Sequence, residues 1–213
     1  MNVLLVYPEY PDTFWTFRYA LKFIAKKATY PPLGLLTVAA MLPETWTLRL
    51  VDMNVTALSD EQLRWADLVC ISAMSIQSAS VRALLARCRA QGVRVLAGGP
   101  LFTAHPDAFA DVDYLVLNEA ELTLPRFLHD FAQGQAQHLY TTEQRADLRA
   151  TPVPRWELID ARQYAAMNIQ FTRGCPFDCE FCNITTLFGR VPRVKDTAQI
   201  LTELDALYQA GWR

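Results

Sequence analysis

Short, nearly all-apolar runs alternate with helical segments along the first part of the chain. The first run, NVLLVY at positions 2–7, is typical of a strand buried on both faces of a sheet. Further strands are predicted at 47–54, 67–74, 93–100 and 113–120, and helices at 31–43, 78–92 and 122–134. Because strands alternate with helices, the sequence predicts a doubly wound α/β domain over residues 1–134, with a parallel five-stranded sheet.

The rest of the chain shows a different pattern. Residues 135–166 include TPVPRWELID, whose two prolines and lack of a clear period predict an extended linker. MNIQFT at 167–172 alternates apolar and polar residues like a strand. A helix is predicted after Asp196, its expected N-cap, with an apolar stripe of Ile200, Leu201, Leu204, Leu207 and Tyr208. Residues 167–213 are therefore predicted to form a second unit of one strand and one helix, joined by a cysteine-rich loop.

Composition excludes several classes of protein. The net charge is −2 and no basic run dominates, so a nucleic-acid partner is not expected. No apolar run approaches the roughly 20 residues of a membrane span, and the N-terminus lacks the basic region of a signal peptide. We therefore expect a cytoplasmic protein without a transmembrane segment, in which the cysteines favour metal or catalytic use over disulfides.

Three cysteines, Cys175, Cys179 and Cys182, lie within eight residues of the stretch FTRGCPFDCEFCN. A structural zinc ion needs four protein ligands, whereas three thiolates on a 4Fe–4S cluster leave one iron open to a substrate. Gly174 and Pro176 favour a tight turn, and the loop follows the carboxyl end of a predicted strand, where barrel enzymes place their chemistry. The alternative is a redox-active or adventitious group of cysteines, or zinc with a ligand from another chain.

The same stretch resembles the signature of the radical S-adenosylmethionine (SAM) superfamily, C-x3-C-x-φ-C, in which an aromatic residue precedes the last cysteine. The resemblance implies that the three cysteines hold a 4Fe–4S cluster, that the open iron binds SAM, and that Phe181 lies against the adenine. It also implies reductive cleavage of SAM to a 5′-deoxyadenosyl radical, with electrons from a donor such as flavodoxin or ferredoxin. The stretch GRVPRVKD is similar to a basic segment of the superfamily, in which Arg190 and Arg193 would meet the SAM carboxylate. Residues 167–213 would then be the first βα unit of a partial radical SAM barrel.

Three predicted strands of the first domain end in small or polar residues: SAM at 72–74, GGP at 98–100 and NEAE at 118–121. Ligands of doubly wound sheets bind at such carboxyl ends, and glycine lets the backbone approach a flat ligand. No G-x-G-x-x-G follows the first strand, so a dinucleotide is not expected. The domain resembles the cobalamin-binding domain of cobalamin-dependent radical SAM enzymes, with NEAELTLP where that family has G-E-G-E and then T-L-P. The resemblance implies cobalamin contacts by Ser72, Met74, Gly98, Gly99, Asn118 and Glu119.

The loop after the first strand departs from many cobalamin domains. They supply a histidine to cobalt from D-x-H-x-x-G, whereas this loop reads PEYPDTFWTFRY, and the first histidine of the chain is His105. The resemblance therefore implies cobalamin without a protein histidine ligand. Tyr10, Phe14 and Trp15 would cover its lower face, unless these aromatic residues belong to the core or to an interface.

The stretch FRYALKFIAKKATYPPLGLLTVAAMLP is similar to the branch of the family that includes hopanoid methylases. The first hypothesis is that the chain is the N-terminal part of a cobalamin-dependent radical SAM methyltransferase, inactive alone, whose parent acts on a small-molecule or lipid-like substrate. The second keeps the cluster but makes the first domain a scaffold without cobalamin. The third is a zinc-stabilised α/β interaction module without catalytic activity. Cys70 and Cys88 are predicted to be small core residues.

Overall fold

The fold is built on one parallel sheet, seen in a computed structural model that describes residues 1–212 apart from the side chain of Trp15. Its strands are β1 (Asn2–Tyr7), β2 (Thr47–Asp52), β3 (Leu68–Ser72), β4 (Arg94–Gly98), β5 (Tyr114–Val116) and β6 (Leu139–Tyr140). They lie in the order β2-β1-β3-β4-β5-β6. The predicted α/β class and parallel sheet are confirmed, with six strands in place of five.

The sixth strand lies inside the stretch that was predicted to be a linker. Leu139 pairs with Leu115 and Tyr140 with Val116, in parallel register with β5. Tyr140 is buried, and its hydroxyl donates a hydrogen bond to Asp130 Oδ2 at 2.8 Å. Two residues are too few to show a period of two, so the sequence pattern did not reveal this strand.

Helices cover both faces of the sheet. The helices of this part are α1 (Arg18–Phe23), α2 (Leu33–Met41), α3 (Asp60–Trp65), α4 (Ser78–Ala90), α5 (Pro100–Ala104) and α6 (Ala120–Ala132). One face packs against α2 and α6, and the other against α3, α4 and α5. No helix among the described residues is long and apolar enough to cross a membrane.

Strand β1 shows why the apolar runs define this fold. Val3 and Leu5 belong to the cluster under α2 and α6, whereas Leu4 and Val6 belong to the cluster under α3 and α4. Successive side chains of a strand point to opposite faces, so a central strand must be apolar at every position. Each such side chain contributes about 1.5–3 kcal/mol relative to leaving it exposed.

The predicted strand at 167–172 does not form over its length. Only Thr172–Arg173 (β7) is paired, antiparallel to Arg193–Val194 (β8), and the carbonyl of Phe171 accepts a hydrogen bond from the N–H of Lys195 at 3.0 Å. A strand needs a neighbour for its N–H and C=O groups, and within residues 1–212 only 193–195 supply one. The short helix α7 (Ile184–Phe188) lies between β7 and β8.

Helix α8 (Thr197–Gln209) begins at the predicted N-cap, because Asp196 Oδ1 accepts a hydrogen bond from the N–H of Gln199 at 2.8 Å. Of its apolar stripe, only Leu207 is fully buried. It packs with Leu36 of α2 and with Trp156 of residues 135–166, called the connector below, so α8 is held against the first part of the chain. Leu201, Leu204 and Tyr208 remain exposed.

Candidate cofactor site

A cavity of about 450 Å³ opens at the carboxyl ends of β1, β3, β4 and β5 and extends between the sheet and helices α2 and α6. It lies where the strand order reverses between β1 and β3, the usual ligand position in a doubly wound sheet. Its inner part is apolar and includes Leu35, Leu96 and Leu124. Six predicted contact residues line it together: Ser72, Met74, Gly98, Gly99, Asn118 and Glu119. Their contact with cobalamin stays a prediction.

The glycine pair at the end of β4 is required by the sheet itself. A Cβ atom on Gly98 would lie 2.6 Å from the carbonyl oxygen of Val116 in β5. Gly99 has φ +89°, and its Cβ would lie 2.7 Å from Oγ of Ser72. A side chain at either position would push β4 away from its neighbours. A valine there would therefore disturb the sheet, whatever ligand binds beside it.

Asn118 keeps the backbone conformation of the glycine that it replaces in the family pattern. Its φ is +63°, in the left-handed region that glycine favours and asparagine tolerates. Its N–H donates to Thr103 Oγ1 at 3.0 Å, and its Oδ1 accepts from Thr141 Oγ1 at 2.7 Å. The position therefore combines a turn that glycine prefers with a side chain that anchors the segment after β6.

Replacing Asn118 separates these two roles. Asn118→Gly and Asn118→Val both lose the hydrogen bond from Thr141, but only valine is strained at positive φ. We expect the valine variant to be less stable than the glycine variant by about 1–2 kcal/mol. Urea unfolding followed by circular dichroism measures the difference. Equal stability of the two variants would contradict the strain argument.

Tyr7 and Tyr10 form the rim of the cavity beside β1, with their hydroxyl oxygens 2.5 Å apart. The Tyr10 hydroxyl also donates to Met74 Sδ at 3.7 Å. Burial raises the pKa of both hydroxyls, and the neighbouring Tyr10 raises that of Tyr7 further. Both stay protonated at neutral pH, so neither offers a phenolate. Within residues 1–212 no histidine lines the cavity.

The three aromatic residues predicted to cover the lower face of cobalamin have different positions. Tyr10 lines the cavity. Phe14 is exposed and does not line it. The side chain of Trp15 lies outside the described residues. Of the two whose side chains the structure describes, Tyr10 is therefore the one positioned to face a ligand in this cavity.

Asp52, at the end of β2, ties the connector to the rim. Its side chain is buried and accepts hydrogen bonds from Asn54 Nδ2 at 2.7 Å and from the Tyr164 hydroxyl at 3.1 Å. Asn54 Oδ1 accepts in turn from the N–H of Tyr10 at 2.8 Å. Burial raises the pKa of the Asp52 carboxyl, although the hydrogen bonds from Asn54 and Tyr164 oppose the rise.

This raised pKa predicts a pH dependence of stability. The folded chain holds the Asp52 proton more tightly than the unfolded chain, whose ordinary pKa is 3.8. The resulting contribution to stability is fully present below that value and is lost as pH rises through the folded pKa. We expect the free energy of unfolding of the wild type, relative to Asp52→Asn, to fall as pH rises above the ordinary value of 3.8. Tyr164→Phe should make the fall steeper, because it removes a hydrogen bond to the carboxylate. A difference that stays constant as pH rises would contradict the assignment.

Glu119 joins the sheet to the cysteine loop. Its carboxylate is buried and receives two arginines: Arg193 in a bidentate pair at 2.7 Å for both contacts, and Arg173 at 2.9 Å. The Arg193 guanidinium also donates to the carbonyls of Ala146 at 2.6 Å and Phe188 at 2.9 Å. The guanidinium of Arg193 is therefore fully engaged by these acceptors. The predicted contact of Arg193 with the SAM carboxylate would have to displace some of these hydrogen bonds. Glu119 lines the cavity, but its charge is directed toward these arginines.

Glu121 completes this buried network. Arg173 Nη2 lies 2.8 Å from Glu121 Oε1, which also accepts a hydrogen bond from the Thr151 hydroxyl at 2.9 Å. Burial alone would raise the pKa of the Glu121 carboxyl, but the hydrogen bond and charge of Arg173 outweigh it and lower the pKa. Two carboxylates and two arginines therefore neutralise each other at the point where the cysteine loop leaves the sheet.

The cysteine loop begins immediately after Arg173. Gly174 has φ +93°, and a Cβ there would lie 2.6 Å from the carbonyl oxygen of Val191, so glycine is needed for the close approach of the two ends of the loop. The N–H of Cys175 donates to the carbonyl of Gly189 at 3.1 Å, and that of Cys182 to the carbonyl of Cys179 at 3.0 Å. Cys175 and Cys182 are half-buried and Cys179 is exposed, all as free thiols.

The three cysteines of the loop differ in exposure and do not form a single-ion site. Within residues 1–212, no group of three cysteine, histidine or acidic side chains converges as it would around one metal ion. A cluster of four irons is larger than a single ion, so its ligands need not converge on one point. Phe181 is 93% exposed and does not line the cavity. Arg190 pairs with Asp178 at 2.8 Å on the surface of the loop.

The other two cysteines are core residues, as predicted. Cys70 of β3 and Cys88 of α4 are both buried. Burial raises the pKa of the Cys70 thiol to about 12 and that of the Cys88 thiol to about 11. They are therefore neutral thiols at physiological pH and differ in kind from the cysteines of the loop.

Some contacts within the site carried no recognisable sequence signal. Asp52 and Tyr164 are far apart in the chain and meet only in the folded protein. Arg173 stands directly before Gly174 in FTRGC, and its position beside the cysteine motif was the one available sign of a role there. An arginine is rarely buried unless acidic residues pair with it, and the local sequence does not show which acidic residues those are.

A family model described as the B12 binding domain matches residues 24–128. Residues 24–128 are therefore similar to B12-binding domains. The six predicted contact residues that line the cavity all lie inside the B12-binding domain. The resemblance to a cobalamin-binding domain that was predicted from the sequence is thus confirmed.

The B12-binding domain is accompanied by similarity along the whole chain. The chain is 42% identical to an uncharacterised methyltransferase of Synechocystis and 37% identical to the hopanoid C-2 methylase of Rhodopseudomonas palustris, in both cases over 100% of its length. It spans 40% and 41% of the lengths of these relatives. Among solved structures, the radical SAM methyltransferase TsrM of Kitasatospora setae matches with a TM-score of 0.59 at 17% identity. That match covers 99% of this chain and 46% of TsrM, and it supports the fold.

Proposed function

We propose that the chain binds cobalamin in the cavity and belongs to a cobalamin-dependent radical SAM methyltransferase. One observation carries this proposal. The cavity that is lined by the six predicted contact residues is also lined by Arg173 and Phe188, which stand on either side of the cysteine loop. A ligand in the cavity would therefore lie beside the loop that is proposed to hold the cluster.

The residues of the cavity fit cobalamin. The apolar inner part suits the aromatic base of the nucleotide tail, and the glycine pair leaves the backbone of β4 uncovered. Asn168 lines the cavity, and its buried Oδ1 has no hydrogen-bond partner among the described residues. An N–H of one of the amide side chains of the corrin ring would supply the missing donor, because a buried polar atom needs a partner.

The cysteine loop fits a 4Fe–4S cluster through its donor set. We propose Cys175, Cys179 and Cys182 as the cluster ligands and Phe181, which is exposed on the same loop, as the contact for the adenine of SAM. When bound, cobalamin supplies a methyl group and the cluster with SAM supplies a radical that can open an unactivated C–H bond. Glu119 would position the cysteine loop through its ion pairs with Arg173 and Arg193. Tyr7 and Tyr10 keep the rim of the cavity uncharged.

The proposed substrate is a small molecule of lipid-like character. One relative is a hopanoid C-2 methylase, and all of this chain matches 41% of that relative. We propose a flavodoxin or ferredoxin as the electron donor. We propose the complete methyl transfer for a protein of the length of these relatives, and we expect residues 1–213 alone to be inactive.

Visible spectra of the anaerobically reconstituted protein test the proposal. We expect corrinoid bands together with broad iron–sulfur absorbance. Cluster absorbance without a retained corrinoid would replace the proposal with a scaffold role for the first domain. Stoichiometric zinc without either chromophore would replace it with an interaction module.

Gly34 offers a direct test of the cavity. It lines the cavity from α2, and a Cβ added there meets no atom within 4 Å, so it can be replaced without the clashes of Gly98 and Gly99. We expect Gly34→Phe to weaken cobalamin binding at least about tenfold by occupying the cavity, while Gly34→Ala retains it. Equilibrium dialysis with cobalamin measures the affinities, and thermal unfolding verifies that both variants fold. Unchanged affinity of the phenylalanine variant would mean that cobalamin binds elsewhere.

A further inference from the structure

The segment between Tyr10 and Tyr30 forms an exposed aromatic surface next to the cavity. Both tyrosines line the cavity, so the chain leaves its rim and returns to it around this segment. Helix α1 is attached through the buried Leu21. The large apolar side chains around it are exposed, with Phe23 at 91%, Tyr19 at 77%, Ile24 at 56% and Phe17 at 44%. Such a group of apolar side chains on a surface marks an interaction site.

From position 13 onward, the charges of this segment are all positive. It carries Arg18, Lys22, Lys26 and Lys27, and no acidic residue occurs from position 13 to 43. Three of the four lysines of the chain lie in the six residues 22–27. Arg18 pairs with Asp12, and Lys22 lies over the ring of Tyr19 at 5.5 Å. Cations and aromatic rings are thus interleaved on the same surface.

We propose that residues 13–27 bind the surface of an anionic lipid bilayer. Short segments that combine exposed phenylalanines with lysines lie in the interface of a membrane, with apolar side chains below the headgroups and cations against them. Lysine is depleted in protein–protein interfaces, so its concentration here favours a membrane over a protein partner. This proposal is independent of methyl transfer, because it requires no cofactor.

The segment is fixed to the rest of the chain, so binding would orient the whole chain. The N–H of Lys27 donates to the carbonyl of Gln163 at 2.9 Å, and Lys26 Nζ donates to the carbonyl of Arg162 at 2.8 Å. The N–H of Ala165 donates to the carbonyl of Ala28 at 2.9 Å. The rim of the cavity at Tyr10 and Tyr30 would therefore be held close to the lipid surface.

Flotation of the full chain with vesicles tests the proposal. The vesicles contain phosphatidylcholine with or without about one third of phosphatidylglycerol, a fraction that gives a strong negative surface charge. The chain should bind the anionic vesicles and be released by salt. Lys22→Glu/Lys27→Glu should weaken binding at least about tenfold, because it removes two attractive charges and adds two repulsive ones. Phe23→Ser should weaken binding about tenfold through lost apolar burial.

Matched variants control for charge and exposure. Arg64→Glu/Arg82→Glu makes the same change of charge at exposed positions of α3 and α4, and Leu201→Ser removes an exposed apolar side chain of α8. Both should bind the anionic vesicles like the wild type. Equal loss in the control variants, or no retention of the wild type, would overturn the proposal. A dimer in sedimentation velocity that Phe23→Ser dissociates would overturn it in favour of self-association. Cobalamin affinity, measured on the same variants, is expected to be unchanged.

Discussion

Replacing Glu119 with alanine should destabilise the folded chain by about 3–5 kcal/mol. The reason is the environment that the substitution leaves behind. Arg173 and Arg193 are both largely buried, and Glu119 is the shared partner that neutralises them. Removing one member of a buried ion pair leaves an uncompensated charge away from water, which is far more damaging than losing a surface pair. Urea unfolding of the two proteins measures the difference.

The control for Glu119→Ala is an ion pair at the surface. Glu157 pairs with Arg155, and both side chains are exposed. We expect Glu157→Ala to change the stability by less than about 1 kcal/mol. Glu119→Gln, which keeps the size and part of the hydrogen bonding, should fall between the two. A Glu119→Ala protein as stable as Glu157→Ala would show that the arginines find other partners or solvent.

Replacing any one of Cys175, Cys179 and Cys182 with alanine should abolish cluster loading. After anaerobic reconstitution we expect close to four irons per wild-type chain, as a 4Fe–4S cluster requires, and almost none in each variant. Iron and sulfide analysis together with the visible spectrum measures the loss. The effect should be all-or-none, because a cluster with two protein ligands leaves two irons open to solvent.

Cys88→Ala is the matched control for the cysteine variants. It removes a thiol of the same chain, but one that is buried in the core and remains protonated. Iron loading should be unchanged, and only the stability should fall because of the cavity that is created. A Cys179→Ala protein that kept a full cluster would require a different ligand set.

The sequence predicted those parts of the fold in which every residue of an element faces the same kind of environment. Strands β1, β3 and β4 are buried on both faces, so their apolar runs were sufficient to locate them. Strand β6 escaped because two residues show no period. The stretch at 167–172 was wrongly predicted as a strand, because alternation describes a surface and says nothing about whether a neighbouring strand is present.

The location of the candidate site could be predicted from the sequence, but the ion pairs and hydrogen bonds within it could not. Glycines and polar residues at strand ends identified the rim of the cavity, because parallel strands bring their carboxyl ends together. The partners of Glu119 lie 54 and 74 residues further along the chain, and no local pattern connects them. The carboxylate was therefore predicted to face a cofactor, whereas its charge is engaged by arginines that hold the cysteine loop.

The packing of Leu36, Trp156 and Leu207 affects how the chain loses its structure. These side chains come from the B12-binding domain, the connector and the last helix, yet they share one apolar cluster. Because the three parts share this cluster, none of them can unfold without exposing apolar surface of the others. We therefore expect one cooperative transition on heating. The cavity is lined from Leu35 to Phe188, across the same boundaries. A ligand that binds in this cavity would therefore stabilise all three parts together and raise their common melting temperature.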